Sequence, residues 1–160
     1  MAEDQDRPDI VLESNNTASW DMRLDGDING TYFGKFIFRC FLTPSQQIAA
    51  NRDYRSMLGD NPTMAPQHES FLAYCLTQLK FRIIQAPPFW NSSGTGGDLA
   101  DDNVLSAVLD AAISAEVKFR NQLKKKKEQT LERAKSAAEK VATKKEEEEV
   151  NETENEESGD

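Results

Sequence analysis

Histidine, cysteine, basic charge and long apolar runs are all in short supply in this chain of 160 residues. His68 is its one histidine, and Cys40 and Cys75 are its two cysteines. Zinc takes four nitrogen or sulfur ligands at short spacings, so this is a poor ligand set. Any Ser-His or Cys-His nucleophile must use His68, which lies beside Glu69 near a helix start, an ordinary surface position. No apolar run approaches the roughly 18 residues needed to cross a bilayer, and "MAEDQDRPDIVLESNN" lacks the basic-then-apolar order of a secretory signal. A soluble cytoplasmic protein with both cysteines as buried thiols is the plain expectation. Lys and Arg number 19 against 28 Asp and Glu, a net charge of -9, which argues against a general nucleic-acid binder. Neither nucleic acid nor membrane is expected as a partner, and no cofactor or metal.

Two short motifs suggest ligands and fall short of them. "GTGG" (Gly94 to Gly97) precedes a helix as phosphate cradles do. No Gly-Lys-Ser/Thr follows, however, and Asp98, Asp101 and Asp102 would repel a phosphate; a flexible loop is the better reading. "DGDINGTYF" (Asp25 to Phe33) reproduces the first half of an EF-hand loop in Asp25, Asp27, Asn29 and Gly30. Its ninth and twelfth positions are Phe33 and Phe36, where calcium needs an oxygen or water and a bidentate Glu. The flanking residues alternate like strands, and Asp-Gly and Asn-Gly are hairpin pairs, so a turn is expected.

Charge and apolar patterning then organise the chain. Residues 1–17 are acidic and read as disordered, and residues 18–123 form one globular domain. Residues 120–145 hold ten bases against three acids, and residues 146–160 hold nine acids and no base. The basic part, 124–145, is expected to be a helical extension, and 146–160 a disordered acidic tail. Within the domain, "SWDMRL" and "TYFGKFIFRCFL" alternate with a period of two. "TPSQ" is a helix start with Thr43 as cap, Pro44 at the first position and Gln46 closing a capping box, and Gly59 is its stop. A second helix spans about Pro66 to Gln85 with Phe71, Leu72, Cys75, Leu76, Leu79 and Ile83 as its stripe; "APPFW" ends it. Asp101 or Asp102 caps a third helix with Val104, Leu105, Val108, Leu109, Ala112, Ile113, Phe119 and Leu123 inward. The fold class is therefore α+β: an N-terminal β-hairpin packed on about three helices, the last running into a charged tail. Leu131, Ala134, Ala138 and Val141 keep a faint helical spacing, too short for a coiled coil.

The features left over are those of a binding module, and no pair of carboxylates stands out for acid-base work. Phe33, Ile37 and Phe41 make the odd face of the second strand apolar as well as the even one. If helices cover one face, the other meets a partner or another copy of the chain. Phe89 and Trp90 sit in a proline-stiffened segment, either as interface anchors or folded back to close the core. Phe33, Ile37, Phe41, Phe89 and Trp90 are the candidate protein-binding residues, and no catalytic residue is expected.

The blocks "GTYFGKFIFRCFLTP", "NRDYRSMLGDNP", "LKFRIIQAPPFWNSS" and "DDNVLSAVLDAAISAEVKFRNQL", the last with Glu116, resemble tail assembly chaperones of tailed bacteriophages over about residues 30–123. The resemblance implies a non-enzymatic role in the host cytoplasm: binding the tape measure protein, keeping it soluble and helping tail tube subunits polymerise around it. A structural or scaffold-like virion protein is the alternative, and an enzyme a third.

Overall fold

Alternating side chains and hairpin pairs build the sheet at the centre of this protein. The computed structural model describes residues 8–13, 16–59 and 62–156, with side chains as far as Ala138. Strands β2 (Thr17–Asp25) and β3 (Thr31–Arg39) pair antiparallel from Thr17 opposite Arg39 to Asp25 opposite Thr31. Two short strands flank them, β1 (Ile10–Leu12) against β2 and β4 (Ile83–Gln85) against β3, giving the order β1-β2-β3-β4, all antiparallel. The helices are α1 (Pro44–Leu58), α2 (Gln67–Arg82), the short α3 (Pro88–Ser92) and α4 (Asp102–Glu156), with a 3-10 turn at Pro62–Met64. The fold class is α+β, with the expected hairpin as the middle of a larger sheet.

The chain forms two compact units, Met1–Phe119 and Arg120–Asp160. In the first, the even positions of the strands point to one face. Ile10, Ala18, Met22, Phe36, Phe38 and Cys40 join Cys75, Leu79 and Trp90 with Val104, Leu105, Val108 and Leu109 in a single buried cluster. The start of α1 follows its sequence signals closely: Thr43 Oγ1 accepts from the Gln46 N–H and the Gln46 side chain accepts from the Thr43 N–H. α2 is more enclosed than an amphipathic stripe implies. Thr77 and Gln78 are buried along with Ala73, Cys75 and Leu79, and Thr77 satisfies its hydroxyl by donating to the Ala73 carbonyl at 2.8 Å. Cys40 and Cys75 are free and fully buried, and burial pushes both thiols up to about 11.

Several sequence expectations are corrected here. Ile10–Leu12, placed in a disordered N-terminal segment, is an edge strand, because three aliphatic residues reach an open edge of β2 and bury Ile10; residues 1–7 lie outside the described residues. Ile83–Gln85 leaves the second helix to pair with β3. Phe71 and Ile113, expected on the inward stripes of the second and third helices, are exposed, and α1 buries only Ala50 among its residues. The first unit ends at Phe119, which packs on the core, whereas Leu123 is exposed. The backbone is helical through Glu156, although 146–160 was expected to be disordered; residues 157–160 lie outside the described residues. Asp102 to Glu156 contains no Gly or Pro, and Glu, Lys and Ala are strong helix formers.

Candidate protein-binding surface

The turn from Gly26 to Gly30 is held by a residue far along the chain. Asp101, just before α4, is almost wholly buried and accepts from the backbone N–H groups of Ile28 at 2.5 Å and Asn29 at 3.1 Å, and from the Tyr32 hydroxyl at 2.7 Å. The half EF-hand thus serves as a turn whose amides face a carboxylate, and Asp25 spends one oxygen on the Thr31 hydroxyl at 2.6 Å. Gly26 is needed because a Cβ there would lie 2.7 Å from the Tyr32 ring and 2.8 Å from Asp101.

Burial by itself pushes the Asp101 carboxyl up. The Tyr32 hydroxyl and the N–H groups of Ile28, Asn29 and Asp27 together outweigh burial and hold it below the usual carboxylate value. The same contact, with burial, raises the Tyr32 hydroxyl. A lowered folded pKa stabilises the fold above the unfolded value of about 3.9 and is lost as pH falls through the folded value. The thermal midpoint is therefore expected to drop below about pH 4. Asp101→Asn, less stable at neutral pH, is expected to lose less over that window; an unchanged acid limb in a pH series of melting curves would refute the assignment.

The "APPFW" segment folds back onto the sheet. Gly34 in β3 has φ +148°, and a Cβ there would meet the Pro87 ring at 2.4 Å, so the missing side chain lets Pro87 seat against the strand. Trp90 follows into the core at 2% exposure, edge-on to Phe36 with ring centroids 5.5 Å apart. The other side of its indole is closed by Gly96, where a Cβ would lie 2.6 Å from the ring. "GTGG" is thus a cover for the tryptophan. Phe89 is half-buried and packs edge-on to Tyr32 and Phe36 at 5.1 and 6.1 Å. Phe89 and Trp90, expected among the protein-binding residues, belong instead to the core, because a large apolar ring gains more from burial than a proline-stiffened loop gains from presenting it.

The opposite face of the sheet has a different character. Odd positions of β3 and β2 point there, with Val11 of β1. Across the sheet one row reads Val11, Ser19, Ile37, Gln85. Further along, Lys35 pairs with Asp21 and Phe33 with Arg23. Phe33 is 72% exposed and Val11 56%, while Ile37 is half-buried. Phe41, past the end of β3, is 37% exposed and leans on Phe119 of α4, ring centroids 5.8 Å apart. Of the five candidates, Phe33 and Ile37 share this open face, Phe41 lies beyond it, and Phe89 and Trp90 lie on the helix side. Sequence reasoning missed Val11, whose signal was the aliphatic triplet in "DIVLE".

Lys35 reaches Glu13 at 3.8 Å, and the Lys35–Asp21 row separates Phe33 from Ile37 on this face. His68 is exposed and within 3.1 Å of Asp102. Among the described residues no group of three or more His, Cys, Asp or Glu is placed to hold a metal ion, and no helix is long and apolar enough to cross a membrane. No protein family model, no curated protein and no solved structure matches this chain.

Proposed function

We propose that this chain is a non-enzymatic assembly chaperone of a tailed bacteriophage, acting in the host cytoplasm to keep the tape measure protein soluble until tail tube subunits enclose it. The observation that carries the reading is the sheet face opposite the helices, where Phe33 stands 72% exposed beyond Ile37 and Val11. An antiparallel sheet facing water on one side normally turns polar residues outward. A ring at one end of this face and two aliphatic side chains at the other, with the Lys35–Asp21 row between them, offer apolar contacts alternating with charge, the pattern that an amphipathic helix can match. The sequence resemblance names the client, a long protein with apolar helices to shield. A structural or scaffold-like virion role is the second reading, favoured by the helix that continues to Glu156.

Co-expression with the tape measure protein of the same phage tests the first reading. Phe33→Asp is expected to reduce recovery of soluble client about tenfold or more while the thermal midpoint stays within a few degrees, since an exposed ring contributes little to folding. Full client recovery by Phe33→Asp would remove the sheet face from the proposal. Mass spectrometry of finished particles separates the two readings: a chaperone is absent, a structural protein present.

A further inference from the structure

We infer that the open edge of β1 takes a fifth strand from another protein: an extended segment with apolar side chains at alternate positions and a basic residue at each end. β1 is an outer strand of the sheet, and its register on β2 continues to Glu13, whose N–H donates to the Thr17 carbonyl at 2.9 Å. Backbone groups alternate along an antiparallel strand, so Val11 and Glu13 bond to β2 while the N–H and C=O of Ile10 and Leu12 point away from it. The Ile10 carbonyl shows that direction, since it accepts from Lys118 Nζ of α4 at 3.0 Å. The other three groups have no partner among the described residues, which makes the edge a template for strand addition. At the opposite edge of the sheet, α3 and the loop after it lie beside β4, with Asn91 and Thr95 lining one groove with Ile84 and Gln85.

Beside β1 the helix layer supplies a floor for the added strand. A groove there is lined, among the described residues, by Pro8 and Asp9, which lead into β1, and by Ile113, Ser114, Val117 and Lys118 of α4. Ile113 is 40% and Val117 52% exposed, whereas Val108, Ala111, Ala112 and Ala115 of the same helix are buried in the core. A strand laid along β1 turns every second side chain toward this floor, and apolar ones cover Ile113 and Val117. Its intervening side chains share the other face with Asp9, Val11 and Glu13. Those three fall at the positions where side chains of neighbouring strands come closest, and Glu13 is held only by Lys35 at 3.8 Å. A basic residue opposite each acid is therefore favoured. A second copy of β1 is not. Within β1 it satisfies all the outward groups only when Val11 faces Val11, and that register sets Asp9 against Glu13 at both ends, like charge on like.

Fluorescence anisotropy of the full chain with a fluorescein-labelled peptide, Gly-Gly-Lys-Val-Thr-Val-Lys, tests the edge directly. Binding is expected with a dissociation constant of about 100 μM or tighter. The peptide with Glu for both Lys is expected to bind at least about tenfold more weakly, and the variant Asp9→Lys with Glu13→Lys to reverse that preference. Leu12→Pro removes one outward N–H and leaves the Val11 and Glu13 bonds to β2 in place; Val117→Asp puts a charge on the groove floor. Each is expected to weaken binding about tenfold, with folding checked by the thermal midpoint. Lys118→Met frees the Ile10 carbonyl and is expected to bind more tightly. Phe33→Asp, which alters the outer sheet face far from this edge, is expected to bind the peptide as wild type does. No binding up to about 1 mM, equal binding of the Lys and Glu peptides, or binding that folded Leu12→Pro and Val117→Asp leave unchanged overturns the inference. So does self-association of the wild-type chain in sedimentation equilibrium that Leu12→Pro abolishes, which would give the edge to a second copy.

Discussion

Replacing Trp90 with alanine is expected to destabilise the first unit by about 3–5 kcal/mol, the range for deleting a buried aromatic side chain. The indole is enclosed on two sides by features that cannot follow it inward. Phe36 is itself fully buried between Trp20 and Phe38, and Gly96 sits in a loop with φ +93°. The cavity therefore persists, and the cost includes lost contacts as well as lost transfer energy. In a unit of this size each kcal/mol shifts the midpoint by roughly 4–8 °C, so a fall of well over 10 °C in a melting curve is the outcome to look for. A loss under about 1 kcal/mol, combined with poor recovery of soluble client, would return Trp90 to the interface, the other of the two places that the sequence left open.

The second large effect lies at the buried ion pair between α2 and α4. Arg82 Nη2 is 2.7 Å from Glu116 Oε2, and both side chains are largely buried. Nε of Arg82 is 3.5 Å from Gln78 Oε1, and Nη1 has no hydrogen-bond partner. Such a guanidinium already lacks full compensation for leaving water. Removing Glu116 leaves a charge with little to balance it, and Glu116→Ala is expected to cost about 3–5 kcal/mol. Replacing both partners by apolar residues of similar volume, Arg82→Met with Glu116→Leu, is expected to cost far less, because it removes the desolvation penalty along with the attraction. Urea denaturation of the three variants gives the comparison. A double variant as unstable as the single one would show that the pair contributes net stability.

The local rules were legible where neighbours in sequence are neighbours in space. Thr43, Pro44 and Gln46 start α1 as their chemistry requires, and Gly59 ends it. Alternation in β2 and β3 predicted the hairpin and its inward face. Half of an EF-hand was correctly read as a turn, since Phe33 and Phe36 occupy ligand positions. Cys40 and Cys75 are the buried thiols that their apolar surroundings implied. Two of the misreadings share one cause. A three-residue strand such as Ile10–Leu12 or Ile83–Gln85 carries too few residues for a period and exists because a longer strand offers an unpaired edge.

By itself, the sequence determined the class of fold, the start and stop of α1, the strand faces and the separation of basic from acidic charge along the last helix. Those depend on propensity, capping and periodicity, which act over a few residues. Tertiary structure alone decided that Trp90 fills the core while Phe33 stays outside, that Asp101 anchors a turn seventy residues away in the chain, and that Arg82 meets Glu116. Each of those outcomes is a contest for burial between groups distant in sequence, settled by which of them the sheet and helices bring within a few ångströms.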